Sequence, residues 1–95
     1  MKKNDENYKL LYKAVLSLKN EKECEMFLKD LCTVQELDAM AQRFAVAGML
    51  FEGSVYNSIV EKTSASTATI SRVNRTLNYG EGGYKMAFER IKDKK

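Results

Sequence analysis

The stretch SVYNSIVEKTSASTATISRVNRTL, residues Ser54–Leu77, decides the fold. It holds two runs with apolar residues at helical spacing, and the small, mostly polar segment TSAST (63–67) separates them. We predict a short helix ending near Lys62, a tight turn that includes an N-cap, and a second helix over about Thr67–Asn78. Two short helices joined by a compact turn are typical of a helix-turn-helix, which we place at about 54–78.

The second helix of this motif has an apolar side and a polar side. If Ile70, Val73 and Leu77 turn inward, the outer side presents short side chains near the helix N-terminus and guanidinium groups further along. Short side chains let a helix approach the floor of the DNA major groove, and arginine can bind guanine or phosphate. No acidic residue lies between Lys62 and Glu81, so the local charge is positive. A solvated helix-loop-helix that binds nothing has the same pattern, and the spacing alone does not separate the two.

Helical periodicity predicts four more helices outside the motif. Capping-box pairs open two of them, Asn20 with Glu23 and Thr33 with Glu36, and Gly53 closes the long helix before the motif. The predicted helices lie at about Asp5–Lys19, from Asn20 to about Leu31, at about Val34–Glu52 and at about Tyr84–Lys92. The prediction is therefore an all-α, six-helix single domain over residues 1–95, in a chain without proline.

Composition narrows the function. The chain has 95 residues and a formal net charge of +3, which permits binding to nucleic acid without demonstrating it. Cys24 and Cys32 form no CxxC pair and histidine is absent, so we expect no metal site and no enzyme activity. No apolar run reaches the ~18 residues that a membrane helix needs. The charged start MKKNDE is unlike a signal peptide, and we expect a cytoplasmic protein with no membrane partner.

The segment from Asp30 to Leu77 resembles the tryptophan repressor superfamily. The matching features are the Leu-x-Thr-x-x-Glu helix opening that ends at Glu36, Arg43 in the long helix, Gly53 at its end, and ATISR at 68–72, close to the family's Ala-Thr-Ile-Thr-Arg. The resemblance is close over about half of the chain and extends loosely over nearly all of it. It is greatest to the shorter branch of bacterial homologues, whose regulatory role is undefined.

This resemblance implies a six-helix fold, an intertwined homodimer, and two reading heads on a twofold-symmetric operator. It also implies that Thr67, Ala68 and Ser71 face bases and that Thr69 lies near a phosphate. The full set of candidate DNA-binding residues is Asn57, Thr67, Ala68, Thr69, Ser71, Arg72 and Arg75. We predict a sequence-specific DNA-binding transcriptional regulator, a repressor, whose partners are double-stranded DNA and a second copy of the chain. The alternative is a helical protein-interaction module that kept the fold without DNA binding.

The dimerisation helices are expected at about 5–52. The first and third predicted helices carry more apolar residues than helices at the edge of a monomer need. This excess fits helices that interlock between two chains. We expect interface area at the large apolar residues Tyr8, Leu11, Leu16, Phe27 and Phe44.

The resemblance also points to an effector site. In the family, two arginines hold the indole of tryptophan, and Arg43 and Arg72 occupy those positions here. Thr33 matches a residue near the ligand's amino-acid group, and Thr76 replaces the family's serine. Val73, however, stands where the family has a glycine, and its branched side chain would fill the space of the ring. We therefore expect no cofactor and disfavour L-tryptophan; Arg43 would then be a surface charge and Arg72 a phosphate contact.

Overall fold

The structure, a computed structural model, describes residues 2–93 and the side chains of residues 4–92. Every regular element within that range is an α-helix, which confirms the all-α prediction and the number of helices. The helices are α1 (Lys2–Ser17), α2 (Glu21–Leu31), α3 (Val34–Phe51), α4 (Tyr56–Thr63), α5 (Thr67–Tyr79) and α6 (Gly83–Asp93). None of them combines the length and the apolar character that crossing a membrane requires.

The observed helix ends lie within a few residues of the predicted ones. The largest difference at a C-terminus is in α1, which ends at Ser17 rather than at Lys19. There the Ser17 hydroxyl donates a 2.7 Å hydrogen bond to the carbonyl oxygen of Ala14. A serine that bonds to the preceding turn competes with the regular helical pattern, which accounts for the earlier end.

The chain divides into two compact units, with the boundary between Leu37 and Asp38 inside α3. In the first unit, the predicted capping box of Thr33 and Glu36 forms completely, and that of Asn20 and Glu23 forms in part, since the Glu23 carboxylate accepts from the Lys19 amide at 2.9 Å and not from that of Asn20. The Asn20 side chain accepts from the Glu23 amide at 2.9 Å, and the Thr33 hydroxyl accepts from the Glu36 amide at 3.0 Å. The Glu36 carboxylate in turn accepts from the Thr33 amide at 2.8 Å. These bonds satisfy amides that the first turn of a helix leaves unpaired, and so they locate the starts of α2 and α3.

The exposed side of α2 carries one ion pair. The Lys29 ammonium lies 2.7 Å from a Glu25 carboxylate oxygen, one helical turn apart. The hydrogen bond from Lys29, together with its charge, lowers the pKa of Glu25 below its ordinary value. Because both side chains are solvated, the pair contributes little to stability.

The first unit buries no side chain fully. None of the side chains described from Asn4 to Leu37 is buried, and large apolar residues of α1 remain in contact with solvent. Leu16 is 84% exposed, and Tyr8 stacks on Tyr12 with ring centroids 6.3 Å apart. A helix pair with this much apolar surface has too little core of its own to account for its stability.

The second unit contains the hydrophobic core. The buried side chains come from α3, α4, α5 and the turn before α5; they are Val46, Ala47, Ile59, Ala65, Ile70, Val73 and Leu77. Tyr84 and Phe88 of α6 pack against this core, and Phe44 of α3 stacks on Phe88 with ring centroids 4.4 Å apart. A Cβ at Gly48 would lie 3.2 Å from the Phe88 ring, so the glycine gives this ring room against α3. The helix-turn-helix is thus built on the only part of the described chain that has buried side chains.

Candidate nucleic-acid interface

The turn between α4 and α5 is three residues long. Ser64, which follows the end of α4, adopts the left-handed conformation (φ 62°, ψ 13°), and its amide donates to the Val60 carbonyl at 2.9 Å. A left-handed serine costs about 1 kcal/mol relative to a right-handed one, and this bond offsets part of that cost. The sharp reversal lets α5 begin at Thr67. Two helices joined by so short a turn make a helix-turn-helix, as predicted.

Thr63 holds this turn together. Its hydroxyl donates to the Ile59 carbonyl at 2.7 Å and accepts from the Ala65 amide at 3.1 Å. Its carbonyl accepts a 3.1 Å hydrogen bond from the side-chain amide of Gln42 on α3. Ala65 itself is 2% exposed and belongs to the core. The orientation of α5 is therefore set by polar bonds to the turn as well as by apolar packing.

The start of α5 is capped by Ser66. Its side chain accepts from the Thr69 amide at 3.1 Å, which is the bond expected of an N-cap. The Ser66 hydroxyl also donates to the Thr69 hydroxyl oxygen at 3.1 Å. The Thr69 side chain is consequently half-buried and held at the helix start, where a phosphate contact would also use the remaining free amides.

The side of α5 that faces the core is the side that the sequence predicted. Ile70, Val73 and Leu77 are all buried, at 0%, 2% and 7% exposure. Ile70 and Val73 belong to the same core cluster as Val46 and Ile59. The burial confirms the predicted rotation of the helix and determines which side chains face away from the core.

The outer side of α5 carries the candidate DNA-binding residues. Those exposed to solvent are Thr67, Ala68, Ser71, Arg72 and Arg75. Neither guanidinium group forms an ion pair with a residue that the structure describes. Asn57, the remaining candidate, is exposed in the first turn of α4. Six of the seven candidates thus share one helix, with both arginines available for an outside partner.

The residues of the predicted effector site are engaged locally. The Thr33 hydroxyl caps α3, and the Thr76 hydroxyl donates to the Arg72 carbonyl at 3.3 Å. The side chains of Arg43 and Arg72 are exposed. Val73 is packed into the core rather than lining open space. An effector role for these residues stays a prediction.

Sequence reasoning missed two residues that shape this region. Gln42 bonds to Thr63 from 21 residues away, and no pattern in the sequence points to such a pair. Tyr79, the last residue of α5, is 86% exposed. Its position one helical turn after Arg75 is the signal in the sequence that could have identified it. Among the described residues, no three His, Cys, Asp or Glu side chains are placed to hold a metal ion.

The chain is similar to known proteins in both sequence and structure. The chain matches the Trp repressor protein family over residues 6–92. It is 53% identical over 83 residues to the uncharacterized protein YerC of Bacillus subtilis (strain 168), covering 87% of this chain and 80% of that protein. A TrpR-like protein from Eubacterium eligens ATCC 27750 has a crystal structure that is similar with a TM-score of 0.87 and 52% identity, covering 90% of this chain and 89% of that one. A crystal structure of a candidate Trp repressor from Staphylococcus aureus is also similar, with a TM-score of 0.87, 43% identity, and coverage of 90% and 86%.

The chain therefore belongs to the Trp repressor protein family. Members of this family are regulatory DNA-binding proteins and not enzymes, which confirms the expectation that this chain is no enzyme. The structural matches also confirm the predicted Trp repressor-like fold.

Proposed function

We propose that this protein is a sequence-specific, DNA-binding transcriptional regulator that represses its target genes and reads the major groove with α5. The observation that carries the proposal is the exposed outer side of α5. Short side chains occupy its N-terminal turns, and Arg72 and Arg75 follow without an internal partner. In a helix-turn-helix, the N-terminal residues of the second helix reach the base edges.

The charge around α5 supports the same proposal. Lys62 and the two arginines are exposed, and residues 62–80 contain no acidic side chain that could neutralise them. A local positive surface attracts the phosphate backbone even when the net charge of the whole chain is small. Ser71 is proposed to face bases, and the phosphate contacts are proposed to come from Thr69, Arg72 and Arg75.

We also propose that the protein acts as a homodimer. The exposed apolar residues of α1 and α2, of which Leu16 and Tyr8 are examples, need a cover that the first unit does not supply. A second copy would supply that cover and would place two reading heads on one symmetric DNA site. Since chromosomal DNA is the proposed partner, the proposed compartment is the cytoplasm.

The proposal is tested by selecting genomic DNA fragments that the purified protein retains and measuring their affinity over a range of salt. The double variant Arg72→Ala, Arg75→Ala should lose at least tenfold in affinity, and the salt dependence should become less steep. Lys85→Ala, Arg90→Ala on α6 is the matched control, because it removes two positive charges from exposed positions outside the motif and outside the proposed dimer surface.

Equal affinity of the α5 double variant and the wild type at low salt would overturn the proposal. Retention of no fragment at any salt would instead favour the protein-interaction module. A reporter gene placed behind a retained fragment distinguishes repression from activation: its expression should rise when the regulator gene is deleted.

A further inference from the structure

The last residue of α5 has an unusual surface position for an aromatic side chain. Tyr79 is 86% exposed, more than any other large apolar residue that the structure describes. Its phenol hydroxyl has no hydrogen-bond partner among the described residues. A ring so exposed gains almost no stability from burial and is accessible to an outside partner.

Tyr79 lies in register with the outer side of α5. It follows Arg75 by four residues and Ala68 by eleven. At 3.6 residues per turn, eleven residues bring the side chain back to within about 20° of Ala68 around the helix axis. The centre of the buried side, near Ile70 and Leu77, is on the opposite side of the axis.

We infer that Tyr79 is a DNA-backbone contact whose phenol hydroxyl donates a hydrogen bond to a phosphate at the rim of the major groove. The inference rests on the proposed DNA binding by α5 and adds a residue to that interface. With a rise of 1.5 Å per residue, Tyr79 lies about 16 Å along the helix from Ala68, which exceeds the ~12 Å width of the groove. The inference places α5 with its N-terminal end at the base edges and its axis tilted out of the groove, so that its C-terminal end lies at the phosphate backbone.

The chemistry at this end of the helix suits a neutral donor. The last helical turn contains no lysine or arginine, and the next acidic residue, Glu81, lies beyond Gly80 where α5 has ended. A tyrosine hydroxyl can donate to a phosphate oxygen without adding charge. This contact would fix the tilt of α5 in the groove and carry no sequence information of its own.

The test uses the full chain and a DNA fragment that the wild-type protein retains. Tyr79→Phe removes the hydroxyl and keeps the ring, and it should weaken binding by about tenfold, as expected for a hydrogen bond to a charged group. The loss should be equal on the best fragment and on variants of it with single base changes. The slope of affinity against salt should stay at the wild-type value, because no cation has been removed.

Tyr84→Phe is the matched control, since it removes the hydroxyl of another tyrosine, on α6, outside the proposed DNA-binding and dimer surfaces. Unchanged affinity in Tyr79→Phe overturns the inference, and so does a loss confined to particular base sequences. Failure of the wild-type chain to retain any DNA would instead overturn the proposed function. The two failures are therefore distinguishable.

Discussion

The side-chain amide of Gln42 donates a 3.1 Å hydrogen bond to the carbonyl oxygen of Thr63, joining the middle of α3 to the end of α4 across 21 residues of sequence. Thr63 is also the residue whose hydroxyl bonds to both Ile59 and Ala65. One residue thus connects the core helix, the first helix of the motif and the turn that leads to α5. The position of α5 depends on this small polar network as well as on apolar contacts.

Replacing Gln42 should destabilise the helix-turn-helix. In Gln42→Leu the half-buried Thr63 carbonyl loses its side-chain partner, so the free energy of unfolding should fall by about 1 to 2 kcal/mol. Urea denaturation followed by circular dichroism measures this. Gln35→Leu, an exposed position on the same helix, is the control and should change stability by less than about 0.5 kcal/mol. Equal effects of the two substitutions would show that the Gln42 bond is dispensable.

Gly80 is required for the end of α5. A Cβ at this position would lie 2.6 Å from the Thr76 carbonyl oxygen, and that oxygen accepts the Gly80 amide at 2.8 Å. Because the clash is with backbone, Gly80→Ala must displace the last helical turn, at a cost of about 1 to 3 kcal/mol. Gly83→Ala is the matched control, since nothing lies within 4 Å of a Cβ there. In thermal denaturation, Gly80→Ala should have a clearly lower melting temperature than Gly83→Ala. A Gly80→Ala protein as stable as Gly83→Ala would contradict the expected clash.

Val73 should prevent tryptophan from binding at α5. The side chain is 2% exposed and packs in the core cluster with Ile70, so a ligand ring would have to displace it. We expect no binding of L-tryptophan to the wild-type protein by isothermal titration calorimetry, and no effect of tryptophan on DNA affinity. A micromolar dissociation constant would show this expectation to be wrong.

The burial of Val73 has its own consequence for stability. Val73→Ala should lower the free energy of unfolding by about 2 kcal/mol, because it removes two buried methyl groups and leaves a cavity. Val55→Ala, at a position that is 66% exposed, should lower it far less. Chemical denaturation of both variants makes the comparison, and equal losses would contradict the packed position of Val73.

Leu16 should lie in the proposed dimer interface. Because it is 84% exposed in the single chain, Leu16→Lys would leave an isolated subunit intact but would place a charge where a second copy is expected to pack. The dissociation constant of the dimer should rise at least tenfold, measured by sedimentation velocity over a concentration series. Met86→Lys is the control, because this residue is also exposed (49%) but lies on α6, outside the proposed interface. A wild-type protein that is monomeric at micromolar concentration would refute the dimer itself.

Local patterns predicted much of the fold because the forces behind them act over three or four residues. The spacing of Ile70, Val73 and Leu77 specified the inner side of α5, and the structure buries all three. The Asn20 and Thr33 capping boxes located helix starts because each bond joins residues within one turn. The candidate DNA-binding residues on the outer side of α5 follow from the same periodicity, as the complement of its buried side, whereas Thr69 came from the family resemblance. Their contact with DNA stays a prediction.

Other features depend on the folded chain. Ser64 is left-handed because α4 must end and α5 must reach the core within three residues, although serine itself favours other conformations. By residue type, any serine or threonine of the turn can cap the start of α5. The path of the backbone selects Ser66. The Gln42 bond to Thr63 exists only after α3 and α4 have packed together.

By itself, the sequence predicted the six helices that the structure describes within residues 2–93, which side of α5 is apolar, and the turn between the two helices of the motif. Those properties follow from short-range periodicity and capping, which involve residues only a few positions apart and so do not depend on the tertiary structure. Only the tertiary structure decided that Val73 is part of the packed core, that Thr63 joins α3 to the turn, and that Tyr79 stays in solvent beside the arginines. Those properties depend on which residues, distant in the sequence, become neighbours in the folded chain. The close packing of the core decides which residues do.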